Sequence, residues 1–99
     1  MSLKSTTSCL GYQQITSVSA STALTVPTRD PQGNVCQPTM ALIVCETQAV
    51  RWRDDGTAPS ATVGMPLAVG VAMNYDGDLN KIRFFEQVAS AKINVSYYA

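Results

Sequence analysis

Ala91-Lys92-Ile93-Asn94-Val95-Ser96-Tyr97-Tyr98 alternates apolar and polar side chains along its length. A period of two is the mark of a strand with one face buried and one face turned out. Ile93, Val95 and Tyr97 are therefore expected in a core, with Lys92, Asn94 and Ser96 on the opposite face. Upstream, Lys81-Ile82-Arg83-Phe84-Phe85-Glu86 places Ile82 and Phe84 together in the same way. Ala49-Val50-Arg51-Trp52-Arg53 sends Val50 and Trp52 to one side and Arg51 and Arg53 to the other. Met40-Ala41-Leu42-Ile43-Val44-Cys45-Glu46 is a continuous apolar run of strand length, which predicts a central strand covered on both faces.

The remaining strands are read from composition and punctuation. Val69–Tyr75 forms a further strand, and Asp76-Gly77-Asp78 is expected to join it to Lys81–Glu86 as a hairpin, with Gly77 supplying a positive φ. Tyr12–Ala20 and Thr22–Val26 are rich in β-branched and polar residues, the second stopped by Pro27. Between Pro27 and Pro38 lie Pro31, Gly33 and Asn34, a loop long enough to serve as a contact feature. Asp54-Asp55-Gly56 and Gln87-Val88-Ala89-Ser90 are turns. No stretch carries the i, i+3, i+4, i+7 spacing of an amphipathic helix. Strands this short and this regularly interrupted predict an all-β chain of about seven to eight strands, in one antiparallel sandwich or flattened, jelly-roll-like barrel. Residues 1–10 read as a flexible or edge-pairing arm and residues 11–99 as a single β domain.

A chain of 99 residues has room for one thin core, which favours packing against copies of itself or a larger assembly. It is 45% hydrophobic and 14% charged, with seven Lys+Arg balancing seven Asp+Glu. Neutrality and scattered cations argue against nucleic acid, because phosphate recognition needs a clustered basic excess. No run approaches the roughly 18 to 20 apolar residues of a membrane span, and no export signal is predicted. Cys9, Cys36 and Cys45 are too widely spaced and odd in number for a disulfide framework or a zinc motif; Cys45 is expected as a buried free thiol.

The chain has no histidine, which removes the Ser–His and Cys–His arrangements and the usual catalytic zinc ligands. Asp54-Asp55 and Asp76/Asp78 are the acidic clusters. Each offers a hard-cation site such as Ca²⁺ or a carboxylate pair, set against the ordinary role of Asp in a glycine turn. Arg51-Trp52-Arg53 raises the question of base stacking, but strand alternation turns Trp52 into the core and leaves the arginines outside. Arg51, Arg53 and Tyr98 are the candidate interface residues, the arginines being within reach of Asp54, Glu46 or a neighbouring subunit. Asn94-Val95-Ser96 matches a glycosylation sequon but lies within a strand. The residues call for no catalytic centre, no cofactor and no metal.

Ala49-Val50-Arg51-Trp52-Arg53-Asp54-Asp55-Gly56-Thr57-Ala58-Pro59, Val63-Gly64-Met65, Tyr75-Asp76-Gly77-Asp78-Leu79, Ile82-Arg83-Phe84 and Ala91 to Tyr98 follow one another as an ordered set. Over residues 40–98, and more faintly over Ala23–Pro27, that set resembles small virion structural proteins of tailed bacteriophages and prophages, of head decoration or accessory type. The resemblance implies a virion location after assembly in the bacterial host cytoplasm, and repetition of one small β domain over a symmetric particle. It implies no catalysis and transfers no active-site residues. The expectation is a capsid decoration or cement protein that homo-oligomerises on the head, a trimer being favoured, with the capsid or other virion proteins as partners. The alternatives are a tail, fibre or head–tail accessory part, or a carbohydrate- or ligand-binding sandwich using Trp52, Tyr75 and Tyr97.

Overall fold

The stripe that ends the chain is buried as its alternation requires: Ile93 and Val95 are sealed from solvent and Tyr97 is 1% exposed. In the computed structural model, which describes residues 8–99, this strand is central rather than at an edge. It is β8 (Lys92–Tyr98), flanked antiparallel by β1 (Cys9–Ile15) and β3 (Met40–Glu46). β6 (Met73–Tyr75) pairs with the far side of β3, giving a four-stranded sheet of order β1-β8-β3-β6. The second sheet has the order β2-β7-β4-β5, from β2 (Thr22–Ala23), β7 (Arg83–Glu86), β4 (Val50–Arg53) and β5 (Met65–Leu67).

The first strand pairs with the eighth, the second with the seventh, the third with the sixth and the fourth with the fifth. That nesting, divided between two sheets, is the jelly-roll arrangement. The chain is an all-β sandwich, and no helix occurs among the described residues.

The inner faces meet in one core. Ile15, Ala41, Ile43, Cys45, Ile93, Val95 and Tyr97 come from the first sheet, and Val50, Leu67 and Phe84 from the second. Val18, Leu24, Leu79 and Ile82, from the connections, fill its margins. Burying each larger aliphatic or aromatic side chain is worth about 1.5–3 kcal/mol. Tyr97 keeps its hydroxyl satisfied by donating to Gln13 Oε1 at 2.7 Å, and burial pushes its pKa up to about 12.

Several local expectations are corrected. β3 is buried on one face only: Ala41, Ile43 and Cys45 point in, while Leu42 and Val44 are half-buried on the outside. Asp76-Gly77-Asp78 is not a hairpin turn. β6 belongs to the first sheet and β7 to the second, so this segment crosses from one sheet to the other. Gly77 does not have a positive φ; it is small because the Tyr75 ring lies over it, and a Cβ there would overlap the Tyr75 hydroxyl. Gly56, at φ 88° in the other acidic turn, does use the left-handed region.

The strand expected at Val69–Tyr75 is regular only from Met73, with Val69 making a single parallel bridge to Cys45. The strand expected at Thr22–Val26 shrinks to Thr22–Ala23, and Met65-Pro66-Leu67 forms a strand that the sequence had left unread. Of the arm expected at residues 1–10, residues 1–7 lie outside the described residues. Ser8 exchanges backbone hydrogen bonds with Ala99, and Cys9 and Leu10 belong to β1.

The Pro27–Pro38 loop is folded back on itself. Arg29 and Val35 form an isolated bridge around a turn in which Asp30 Oδ1 accepts from the backbone N–H of Gln32 at 3.0 Å and of Asn34 at 2.9 Å. At another corner Thr47 and Ser90 both occupy the left-handed region, at φ 68° and 78°. The Thr47 hydroxyl lies 2.5 Å from the Ser90 carbonyl oxygen, joining the β3–β4 and β7–β8 connections.

Candidate functional site

β4 sets the geometry of the most developed surface feature. Val50 is sealed in the core, and Trp52, two residues on, faces the same way but reaches the open end of the sandwich. There it is half-buried, packed against the core on one side and opposite Met65 of β5. Tyr75, arriving from the other sheet, meets the indole edge-to-face with ring centroids 5.9 Å apart and planes at 66°.

Arg51, on the outer face of β4, is committed to the backbone. Its Nε donates to the Ala61 carbonyl at 3.2 Å and its Nη1 to the Gly64 carbonyl at 2.9 Å, holding residues 61–64 beside the strand. Gly64 at φ 141° sits so close that a Cβ would lie 3.0 Å from Arg51 Cβ, so this approach needs glycine. Arg53 faces its like charge Arg83 across β4–β7, and is balanced by a bidentate pair with Asp55: Nε to Oδ1 at 3.1 Å and Nη2 to Oδ2 at 2.5 Å. The guanidinium beside Asp55 holds that carboxyl below the usual aspartate range.

Asp54 takes a different partner. Its Oδ2 accepts from the Tyr75 hydroxyl at 2.6 Å. Burial, and then this carboxylate, push the Tyr75 pKa well above the ordinary tyrosine value. Trp52, Arg53, Asp54, Asp55, Val63, Gly64 and Met65 thus line a cleft of about 540 Å³ at the mouth of the sandwich.

Of the candidate interface residues, Arg51 and Arg53 share the outer face of the second sheet, while Tyr98 stands half-buried on the outer face of the first. The fold does not bring the three together. Neither arginine has Asp54 or Glu46 as its partner. Glu46 accepts from Asn94 Nδ2 at 2.7 Å and Gln14 Nε2 at 3.2 Å, and Asn94 Oδ1 in turn accepts from Tyr12 and Gln14. The sequon asparagine is therefore tied into a polar ladder across β1, β8 and β3.

The other acidic turn is used locally: Asp78 Oδ1 accepts from the Asn80 N–H at 2.9 Å. Among the described residues, no three Asp, Glu or Cys side chains gather as a metal-binding group. Cys9 is exposed, Cys36 half-buried and Cys45 buried, all as free thiols. Cys45 Sγ sits 3.3 Å from the Leu67 and Ala68 carbonyls, and burial raises its pKa.

Alternation along Ala49–Arg53 gave the direction of Trp52 but not its depth, which depends on where the strand ends relative to the facing sheet. The contribution of Val63 and Met65 had no local signal, because it depends on the pairing of β5 with β4 and on the Arg51 clamp. Compared with known proteins, the chain matches no family model, no curated protein and no solved structure.

Proposed function

We propose that the chain is a non-enzymatic structural protein of a tailed-phage virion, a decoration or cement subunit that assembles with copies of itself on the capsid. The observation that supports this reading most directly is a long uncharged stretch of chain that exposes apolar side chains. No charged residue occurs between Asp55 and Asp76, and Val69 and Val71 stand about half exposed within that stretch. Val69 and Val71 lie on the segment linking β5, the edge of one sheet, to β6, the edge of the other. An apolar, uncharged strip at a sheet edge costs solubility unless another surface covers it. A neutral chain offers little repulsion to a second copy arriving there. The jelly roll is an architecture that viral capsid proteins use repeatedly, although a fold alone does not fix a function. The ordered motifs over residues 40–98 add the phage context.

The test is the solution mass by light scattering over a concentration series, followed by sedimentation with phage heads lacking their decoration protein. A closed oligomer, with a trimer favoured, that remains on the heads is the expected result. A monomer at every concentration that does not sediment with the heads would count against the assignment.

A further inference from the structure

The cleft at the mouth of the sandwich has features that self-association does not call for. Its volume of about 540 Å³ falls in the range of small-molecule sites, about 300–1,000 Å³. It is lined by Trp52, the chain's sole tryptophan, half-buried against the core. The ring is held by its edge-to-face contact with Tyr75 rather than free to swing.

Polar groups stand at fixed positions around that ring. The Tyr75 hydroxyl orients the Asp54 carboxylate through Oδ2, leaving Oδ1 as an acceptor on an exposed side chain. Arg53 uses Nε and Nη2 on Asp55, so its remaining N–H groups are donors at the same rim. Arg53 and Asp55 neutralise each other, which leaves the Asp54 carboxylate as the one unbalanced charge among the described residues at the rim, oriented by the Tyr75 hydroxyl beside the Arg53 donors.

An aromatic face flanked by a carboxylate acceptor and guanidinium donors matches one ligand chemistry well. The C–H face of a pyranose ring lies flat on an indole, while its equatorial hydroxyls donate to a carboxylate and accept from N–H groups. We propose that the Trp52 cleft binds a neutral sugar ring, as one unit of an uncharged oligosaccharide. Trp52 is the stacking platform, Asp54 the hydroxyl acceptor and Arg53 the donor. Met65 and Val63 supply an apolar wall for the ring edge. This site goes beyond the assembly reading and does not depend on it.

Since Trp52 is the one tryptophan, intrinsic fluorescence reports directly on the site. The full chain is titrated with maltotriose, cellotriose and tri-N-acetylchitotriose, and separately with choline, which tests for a cation held on the indole face. The expected result is a saturable change with at least one sugar, at a dissociation constant of about 1 mM, as suits a shallow preformed cleft. Amide shifts in nuclear magnetic resonance spectra should then cluster at residues 52–55 and 63–65. Asp54→Asn should weaken binding several-fold with the fold intact, its side chain being exposed, and Trp52→Phe should weaken it while preserving the packing on Tyr75. Silence with all three sugars, shifts that map elsewhere, or a response to choline alone would overturn the proposal. The fluorescence titration and the light-scattering mass are independent, so failure of one reading leaves the other standing.

Discussion

Tyr75 and Asp54 join the two sheets at the mouth of the sandwich: the hydroxyl at the end of β6 donates at 2.6 Å to a carboxylate just past β4. A phenylalanine at 75 would keep the ring against Trp52 and remove only this link. Tyr75→Phe is expected to lower unfolding free energy by about 1 kcal/mol, the usual net worth of a hydrogen bond with one exposed partner. Urea denaturation measures it. Asp54→Asn should cost less, since an amide oxygen still accepts, and should lower the pH at which Tyr75 ionises.

Tyr97 gives the fold a limit in alkali. Its pKa is raised to about 12 by burial, against 10.0 for a free tyrosine, so the protonated form is the one the folded state favours. The stability tied to that proton is complete below pH 10 and is lost as pH rises towards 12. The slope from this one group reaches at most about 1.4 kcal/mol per pH unit, and Tyr75, also raised, adds to it. Melting temperature measured from pH 8 to 12 should fall steeply above pH 10. Tyr97→Phe should be less stable at pH 8, having lost the bond to Gln13, yet show a shallower decline.

Gly77 and Gly70 are both glycines in connections, but alanine should affect them for different reasons. At Gly77 the new methyl meets the Tyr75 ring, which the core and Asp54 hold in place. Gly77→Ala is expected to cost about 2–3 kcal/mol, as overpacking against a fixed ring does. At Gly70 the space is open and only the φ of 77° resists. There the cost should be about 1 kcal/mol. Paired thermal melts separate the two.

Ser90 adopts φ 78° with an exposed side chain, which strains the backbone for no visible contact of its hydroxyl. Ser90→Gly should raise stability by about 0.5–1 kcal/mol: relief of the left-handed penalty is partly offset by glycine's greater entropy when unfolded. The carbonyl that faces Thr47 is untouched by this change. Chemical denaturation of the two proteins side by side would show it.

Val71 is 51% exposed and contributes little to the core. Val71→Asp should therefore leave the unfolding free energy of a dilute monomer within about 0.5 kcal/mol of the parent. Under the proposed self-association it places a charge in an uncharged stretch, so light scattering should give a smaller mass than the parent's at equal concentration; equal masses would count against this strip as the interface.

What could be read from the sequence followed side-chain period. β8 was legible because eight alternating residues admit one assignment of inside and outside, and a one-residue slip would expose Ile93, Val95 and Tyr97 together. Val50 and Phe84 were legible for the same reason, whereas Cys45 was expected buried because it ends a continuous apolar run. β5 was not: Met65-Pro66-Leu67 is too short for a period, and a proline is tolerated there because the strand lies at an edge. Asp76-Gly77 was misread because a two-residue turn signal carries no information about which strands it separates, and here they lie in different sheets. The Trp52 cleft was half legible. Its aromatic and its acids are neighbours in sequence, whereas Met65 arrives by the pairing of β5 with β4 and Val63 in the loop that Arg51 clamps.

The nested pairing of strands also dictates how the chain acquires its structure. Among the described residues, β4 and β5 are the one pair of strands that are consecutive in sequence. Every other pairing closes a longer loop, out to Cys9 against Tyr98. A fold of this kind cannot zip up from one end. Folding dominated by such non-local pairings is expected on the order of milliseconds to seconds, with the β4–β5 ribbon closing the shortest loop. Because β8 is the middle of its sheet, a fragment that stops short of Lys92 has neither a template for β1 nor cover for Ile43.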